Sequence, residues 1–320
     1  QDITTGCITN FATGTQKATI IVNPMPNATI ASDAVVCQND VAPVLTFTGT
    51  NSSANYTFTY NLNGTGSQTI TSIIGSESAT INVPTTTPGS YTYQLTNVID
   101  PATGCNYNLD QSAIISVNPL PAAIITQDAI VCQEDQNPIV TITGSLGTSS
   151  YAFTYNLNGG PDQLINSDAA TNTATIVVPT TTADNYFYQL KQVMDIATGC
   201  LVNYGPAGAS VTIIVNPKPT GTIVGSTTVC QNDNEPTITF NGTNSSANYT
   251  FTYILNGGTT QTISSAIGSN QSTITVPTSI AGTYNYQLVN VSDPITGCNT
   301  TMDETVSILV NPLPAATIYG

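Results

Sequence analysis

Histidine, arginine and tryptophan are absent from the 320 residues, and lysine occurs only at Lys17, Lys191 and Lys218. Eighteen acidic residues then leave a formal net charge of −15. A protein that binds nucleic acid needs a basic face to meet the phosphate backbone, so we expect no nucleic-acid partner. The same negative charge disfavours docking on anionic lipid.

Long apolar runs are also lacking, because none approaches the roughly 18 residues that a membrane-spanning helix requires. We therefore expect no membrane insertion. Without histidine, the usual general base of a nucleophilic hydrolase is missing, and the few carboxylates mostly fall in repeated turn phrases. We expect no enzyme, no catalytic residue and no cofactor-binding residue.

What the sequence does contain is repetition, with a period of about 95 residues that suits a whole small domain. The phrase V-C-Q opens three equivalent segments, at Cys37, Cys132 and Cys230. Each of these cysteines is followed 68 positions later by a cysteine in the phrase T-G-C, which gives Cys105, Cys200 and Cys298. The phrase V-N-P-x-P closes each period, at 22–26, 117–121, 215–219 and 310–314.

Apolar and polar residues alternate within each repeat, as a half-buried β-strand requires. Tyr56, Phe58 and Tyr60 face one way, and the pattern recurs at 151–157 and 249–255. Each of these runs ends in Asn-Gly, which predicts a type I′ turn and a hairpin. With about seven strands per repeat and turn signals every 8–12 residues, the pattern is typical of an immunoglobulin-like sandwich.

The expected fold class is therefore all-β, with tandem immunoglobulin-like β-sandwich domains of about seven strands each, arranged as an elongated rod. The register places the C-terminal part of a truncated Ig-like repeat at 1–26. Three complete repeats are expected at 27–121, 122–219 and 220–314, and the start of a further repeat at 315–320. Prolines in each joint fix φ, and no glycine-serine stretch separates the repeats, so stiff joints are expected.

Six of the seven cysteines form three pairs of identical spacing, which predicts one structural disulfide in each repeat and an oxidising compartment. The alternative is one buried pair of free thiols per domain. Zinc binding is disfavoured, because close C-x2-C spacings and histidine are both lacking. The predicted pairings are Cys37–Cys105, Cys132–Cys200 and Cys230–Cys298, and the spacing leaves the partner of Cys7 undetermined.

A second repeated phrase, Tyr-x-Tyr-Gln-Leu after a turn, resembles the tyrosine corner of immunoglobulin-like sandwiches. It predicts that the hydroxyls of Tyr91, Tyr186 and Tyr284 bind the preceding turn. Core packing alone is the alternative explanation for these tyrosines.

Calcium is the candidate cofactor, because two aspartates recur beside the cysteines. If each predicted disulfide formed, the two aspartates of a repeat would approach each other, and neighbouring carbonyls would complete the shell of six to eight oxygens. Aspartates in such turns also commonly cap their own backbone, which is the alternative. The candidate ligands are Asp40, Asp100, Asp135, Asp195, Asp233 and Asp293.

Ligand binding by loops is a further candidate, because GTNSSANYTFTY occurs identically at 49–60 and 242–253. Identical loops would offer a multivalent surface for a glycan or a protein. Recent duplication explains the identity equally well.

The motifs V-C-Q-x-D, Y-T-F-T-Y-N-L-N-G, P-G-x-Y-x-Y-Q-L and V-N-P-L-P resemble the tandem Ig-like/PKD-like repeats of giant Bacteroidota surface proteins. That group includes adhesins linked to gliding motility and type IX secretion. The resemblance covers the whole chain and implies an extracellular or cell-surface location. It carries no catalytic residues across, because such repeats are often stalks whose binding module lies elsewhere.

These observations predict a structural stalk segment of a long bacterial cell-surface or secreted adhesin, which displays a distal binding or motility module. Its expected partners are neighbouring repeats of the same chain. The alternatives are a segment of a self-assembling extracellular filament, or repeats that themselves bind glycan or protein ligands. The external ligand cannot be read from the sequence.

Overall fold

The computed structural model describes residues 3–5, 18–52, 55–245 and 248–317, and the structural statements below refer to these residues. They form β-strands joined by turns, with a single short 3-10 turn at Gly205–Ala207 in the described part of the chain. The chain divides into two compact units, Gln1–Leu120 and Pro121–Gly320. The first unit holds one β-sandwich, and the second unit holds two.

The sandwich of the first unit packs a three-stranded sheet, in the order β1-β3-β6, against a five-stranded sheet, in the order β2-β8-β7-β4-β5. The strands are β1 (Asn27–Ala31), β2 (Ala34–Cys37), β3 (Val44–Thr50), β4 (Thr57–Leu62), β5 (Thr65–Thr71), β6 (Ser78–Asn82), β7 (Gly89–Ile99) and β8 (Asn106–Asn118).

The second sandwich has the same layout, with a small extra strand, β16, on its larger sheet. Its strands are β9 (Ala122–Thr126), β10 (Ala129–Cys132), β11 (Ile139–Ser145), β12 (Tyr151–Leu157), β13 (Gln163–Asn166), β14 (Thr173–Val177), β15 (Asp184–Asp195), β16 (Leu201–Asn203) and β17 (Ser210–Asn216).

The third sandwich repeats the layout of the first, with sheets in the orders β18-β20-β23 and β19-β25-β24-β21-β22. Its strands are β18 (Thr220–Val224), β19 (Thr227–Cys230), β20 (Thr237–Thr243), β21 (Thr250–Leu255), β22 (Thr260–Ser264), β23 (Gln271–Thr275), β24 (Gly282–Ser292) and β25 (Asn299–Asn311). The prediction of tandem immunoglobulin-like sandwiches is confirmed.

The first and third repeats have one strand more than the seven expected, because the first strand of each repeat is split between the two sheets; the second repeat has this split and also the extra strand β16. In the second repeat, β9 pairs antiparallel with β11, whereas β10 pairs parallel with β17. The chain changes sheet at a residue with positive φ, Gln127 at 97°. Ser32 and Gly225 have positive φ at the equivalent positions. The sequence alternation continues through this step, so the pattern alone indicated one strand.

The Asn-Gly turns form as predicted. Asn158 and Gly159 have φ values of 52° and 69°, the two positive values that a type I′ turn needs, and β12 pairs with β13 across the turn. The Asn158 side chain also accepts a hydrogen bond from the Phe187 backbone N–H at 2.7 Å. The turn is thereby fixed to β15 as well as to its own hairpin.

The cores lie between the two sheets of each repeat and consist of the inward-facing half of each alternating strand. In the second repeat, Ile142, Phe153 and Leu190 are fully buried. Burial of side chains of this size contributes about 1.5–3 kcal/mol each. Each repeat thus has its own apolar core, which is the property that defines an independent domain.

Candidate functional site at the repeat ends

The two ends of a repeat are chemically different, and they are named here for the course of the chain. The proximal end is where the first strand begins, and the distal end is where the last strand finishes. In the second repeat, Ala122 pairs with Ser145 at the proximal end. At the distal end, Cys132 pairs with Asn216, the last residue of β17.

A disulfide joins the distal end of the second repeat to the proximal end of the third. It links Cys132 to Cys298, with their Cα atoms 5.6 Å apart. Both residues belong to the second compact unit, so this unit holds two sandwiches with a covalent bond between them. Cys37 and Cys200 are also disulfide-bonded. Cys105 and Cys230 are free thiols in the described structure, and Cys7 lies outside the described residues.

The predicted pairings within each repeat are therefore wrong. Cys132 does not pair with Cys200, since its partner is Cys298. For the same reason Cys230 does not pair with Cys298, and the pairing Cys37–Cys105 fails because Cys105 is free.

The physical reason is distance along the sheet. Cys132 lies beside the beginning of β15, because both Cys132 and Asp184 reach the end of β17. Cys200 lies beside the other end of β15, where its carbonyl accepts a hydrogen bond from the Asp195 backbone N–H. The twelve residues of β15 separate the two ends by about 35 Å. A disulfide needs Cα atoms about 4.4–6.8 Å apart, so no bond within the repeat can form.

The cysteine at the distal end is held in a compact turn. The Cys132 backbone N–H donates to Asp135 Oδ2 at 2.9 Å, and the Asp135 N–H donates back to the Cys132 carbonyl at 3.1 Å. Glu134, between them, has a φ of 65°. The Gln133 side chain donates to the Thr181 carbonyl at 2.7 Å, which anchors the turn to the loop before β15. Asp40 and Asp233 accept the same bond from Cys37 and Cys230.

The proximal end holds a buried aspartate. Asp195 is 1% exposed, and its carboxylate accepts hydrogen bonds from the Thr148 N–H at 2.7 Å and from the Ala197 N–H at 2.9 Å. The Thr148 hydroxyl donates to it as well. In the other repeats, Asp100 and Asp293 are 2% exposed and accept from the hydroxyls of Ser52 and Ser245. The aspartate thus fastens the loop after β11 to the turn that carries the second cysteine.

Hydrogen bonding lowers the pKa of all three buried aspartates. Burial raises the pKa of Asp195, but the bonds from Thr148, Ala197 and Thr198 outweigh it and hold the pKa below its ordinary value. The hydrogen bond from Ser52 is the largest cause of the lowered pKa of Asp100. Burial likewise raises the pKa of Asp293, and the bonds from Ser245 and nearby backbone outweigh it. The carboxylates are therefore held in the charged form.

A tyrosine packed on a glycine supports the proximal end. Tyr151 is 1% exposed, and its ring lies so close to Gly144 that a Cβ there would be 2.4 Å from the ring. The Tyr151 hydroxyl accepts a hydrogen bond from the Gly147 N–H at 3.0 Å. The same pairs recur as Gly49 with Tyr56 and Gly242 with Tyr249. Only glycine leaves space for the ring that positions the loop around Asp195.

The structure does not bring the proposed calcium ligands of one repeat together. Asp135 lies at the distal end and Asp195 at the proximal end, so the expectation that they approach each other is wrong. The backbone caps of Asp40, Asp135 and Asp233 match the alternative reading of these turns. Among the described residues, no group of three or more histidine, cysteine, aspartate or glutamate side chains is placed to hold a metal ion.

The tyrosine-corner residues lie at the distal end. The Tyr186 hydroxyl donates to the Thr182 carbonyl at 3.1 Å, four residues earlier, which is the bond expected of a tyrosine corner. The Tyr91 hydroxyl donates to the Thr87 carbonyl at 2.8 Å, and the Tyr284 hydroxyl donates to the Ile280 carbonyl at 3.0 Å. The corner stabilises the same loop that receives the side chain of Gln133.

The identical loops considered for ligand binding lie at the proximal ends. Their tyrosines, Tyr56 and Tyr249, are buried and offer no aromatic platform to a glycan. Ser52 and Ser245 bind the aspartates described above. Residues 53–54 and 246–247 of these loops lie outside the described residues. The described part of each loop therefore serves the sandwich itself.

The inter-repeat bond is the feature that sequence reasoning missed. Equal spacing of cysteines identifies repeats but not partners, because a bond to the next repeat recurs with the same period as a bond within one repeat. The signal was nevertheless present. Each first cysteine ends a short strand near the start of its repeat, and each second cysteine follows a strand of 11–12 residues, which places them at opposite ends of an antiparallel sandwich.

Comparison with solved structures supports the fold. A glutamate-to-alanine variant of three titin immunoglobulin-like domains matches with a TM-score of 0.52 and 12% identity, covering 92% of this chain and 100% of that chain. The I-band fragment of titin with the same domains matches with a TM-score of 0.50, the same identity and the same coverage. Four N-terminal immunoglobulin-like domains of Dscam1 give a TM-score of 0.29 and 10% identity, over 91% of this chain and 74% of that chain.

No protein-family model matches the sequence, and no curated protein matches it. At 12% identity the titin structures establish the fold alone, which is that of tandem immunoglobulin-like domains.

The disulfides and the fold are compatible with an extracellular protein. None of the described residues forms a helix of the length and hydrophobicity that a bilayer crossing needs.

Proposed function

We propose that the chain is a stalk segment of a long bacterial cell-surface or secreted adhesin, which holds a distal binding or motility module away from the envelope. The observation that carries the proposal is the bond between Cys132 and Cys298, because it joins consecutive repeats instead of closing one. A bond within a domain stabilises that domain. A bond between domains restricts how they move, which is the property that a spacer needs.

The peptide connection at the same place is short. Strand β17 ends at Asn216 and β18 begins at Thr220, so three residues, two of them proline, join the second and third sandwiches. Proline fixes φ and stiffens a linker. Lys218 lies between the prolines, and its Nζ atom is 3.7 Å from Oε2 of Glu134 in the distal turn. Two covalent connections therefore restrain this junction, where a flexible linker would provide one.

The surface chemistry fits a spacer that remains separate from its neighbours. The chain carries a formal charge of −15, and like charge opposes lateral association. The sequence motifs that resemble giant Bacteroidota surface repeats, including adhesins linked to gliding motility, favour a bacterial surface setting.

The test is small-angle X-ray scattering of the full chain beside a Cys132→Ser/Cys298→Ser variant. We expect the wild-type chain to keep a single long maximum dimension, and the variant to show a broader distance distribution with a shorter mean. A Cys105→Ser/Cys230→Ser variant is the matched control, because it removes two cysteines and no bond. Equal distributions for all three proteins, with domains moving independently, would contradict the stalk.

A filament made of several chains is the second candidate, and the free thiols favour it. Cys105 lies at the proximal end of the first repeat, and Cys230 lies at the distal end of the third. Sedimentation velocity separates the two readings. A monomer with a high frictional ratio supports the stalk, and polymers that grow with concentration support the filament.

A further inference from the structure

We infer that Cys230 and Cys105 each form a further inter-repeat disulfide, equivalent in position to Cys132–Cys298. Cys230 would bond to the T-G-C cysteine of a following repeat, and Cys105 to the V-C-Q cysteine of a preceding repeat. The inference does not depend on the stalk, because a filament of separate chains would need the same bonds.

The turn that presents Cys230 has the hydrogen bonds of the turn that presents Cys132. The Cys230 N–H donates to Asp233 Oδ2 at 2.8 Å, and the Asp233 N–H donates to the Cys230 carbonyl at 3.1 Å. Gln231 donates to the Ser279 carbonyl at 2.7 Å. Asn232 has a φ of 66°, the counterpart of Glu134. Cys230 is therefore held in the conformation that carries a bond one repeat earlier.

The hydrogen bonds that hold the backbone of Cys105 likewise match those that hold the bonded Cys298. The Asp100 N–H donates to the Cys105 carbonyl at 2.9 Å, and the Asp293 N–H donates to the Cys298 carbonyl at 2.8 Å. Each cysteine N–H donates to the threonine hydroxyl two residues earlier at 3.3 Å. Cys230 thus has the local structure of Cys132, and Cys105 has that of Cys298, which are the two cysteines of the observed inter-repeat disulfide.

Exposure differs between bonded and free members of each set. Cys298 is 0% exposed, whereas Cys105 in the same local structure is half-buried. Cys132 is half-buried, whereas Cys230 is exposed. Each free thiol is more accessible than its bonded counterpart, as expected where a partner repeat would cover it.

Formation of the bond is an oxidation. The Sγ atoms of Cys230 and its partner join, and their two protons and two electrons pass to an external disulfide, of a protein or a small molecule, whose S–S bond breaks to give two thiols. The partner must present its cysteine at a proximal end, in the turn that begins with the buried aspartate. Such an end is available from a following repeat of the same chain or from a second copy of the chain.

Two arms of one experiment separate these sources. In the first arm, a second copy of residues 220–314 is joined after Pro314 of the full chain, in a Cys7→Ser background. The protein is equilibrated in oxidised and reduced glutathione, alkylated, digested with pepsin and examined by mass spectrometry. We expect a peptide pair joining the Cys230 and Cys298 segments, which the native pairing never yields, and a fall in alkylation of the Cys230 segment to about half, because the added copy keeps its own Cys230 free.

A Cys230→Ser change at the native position only is the control. It should abolish the new peptide pair if the bond crosses the added junction, and leave it if the added repeat bonds within itself.

In the second arm, the unextended chain is treated in the same way. A covalent dimer containing a Cys230–Cys105 peptide pair supports the inference with a second copy as the source. If Cys230 remains fully alkylated in both arms while Cys132–Cys298 forms, the inference is overturned.

Discussion

The two ends of the second repeat use the same residue type, aspartate, in opposite ways. At the distal end, Asp135 is exposed and caps the backbone of a cysteine turn. At the proximal end, Asp195 is buried, and hydroxyl and backbone donors from two loops converge on it. The third repeat binds the sulfur of Cys132 at the end that holds its own buried aspartate, Asp293. The second repeat presents that sulfur from a turn that is complete by itself.

The comparison shows where an inter-domain connection needs rigidity. A cysteine on a short turn after a parallel strand is positioned by local hydrogen bonds alone. A cysteine on the longer turn between the last two strands needs a second loop as support, and the buried aspartate provides that contact. Substitutions at the proximal end should consequently cost more than equivalent substitutions at the distal end.

The largest effect is expected from Gly144→Ala. The new Cβ would lie 2.4 Å from the Tyr151 ring, and overpacking of this kind costs about 1–3 kcal/mol or more. Hydrogen-exchange mass spectrometry of strands in the second repeat would measure the lower local unfolding free energy. Ser145→Ala, at the exposed next residue, is the control and should change it by less than about 0.5 kcal/mol. Equal exchange in both variants would refute the bracing role of Tyr151.

The next effect is the difference between Asp195→Asn and Asp135→Asn. The first leaves an amide among several donors in a buried site, where an unsatisfied polar group costs about 1–3 kcal/mol. The second keeps an acceptor for the Cys132 N–H in an exposed turn and should cost about 0.5 kcal/mol. The same hydrogen-exchange measurement compares them. A larger loss of local unfolding free energy in Asp135→Asn than in Asp195→Asn would contradict the expectation that the proximal end is the more sensitive one.

A smaller effect is expected from acidification. Because the folded-state pKa of Asp195 is lowered, its contribution to stability is complete above the unfolded value of about 3.9. It is lost as the pH falls below that value through the folded pKa. Thermal unfolding between pH 7 and pH 2.5 should show the loss below about pH 4. The dependence should be shallower in Asp195→Asn, and an identical slope in both proteins would argue against the carboxylate.

The smallest effect is expected from Tyr186→Phe, which removes the distal hydrogen bond to the Thr182 carbonyl and leaves the ring. A single hydrogen bond of this kind contributes about 0.5–1.5 kcal/mol. Exchange of backbone amides in the loop before β15 should increase, while exchange around Asp195 stays unchanged. Increased exchange at both ends would show that the corner and the aspartate are coupled.

The strands and hairpins could be predicted because they follow from local chemistry. Alternation around Phe153 specifies a strand with one buried face, and Asn158-Gly159 specifies the turn that follows it. The buried state of Asp195 was not predictable from its phrase, because its burial depends on Thr148, which is distant in sequence. The cysteine partners required the strand layout, since only the length of β15 rules out Cys132–Cys200.

The Cys132–Cys298 bond also alters how the chain would respond to tension. A load applied at the two termini passes from residue 132 to residue 298 through sulfur, so residues 133–297 lie off the load-bearing path. These residues would otherwise extend by about 3.3–3.6 Å each once unfolded, on the order of 550 Å in total. While the disulfide is intact, residues 133–297 cannot extend under load. Reduction of the disulfide makes their full length available for extension.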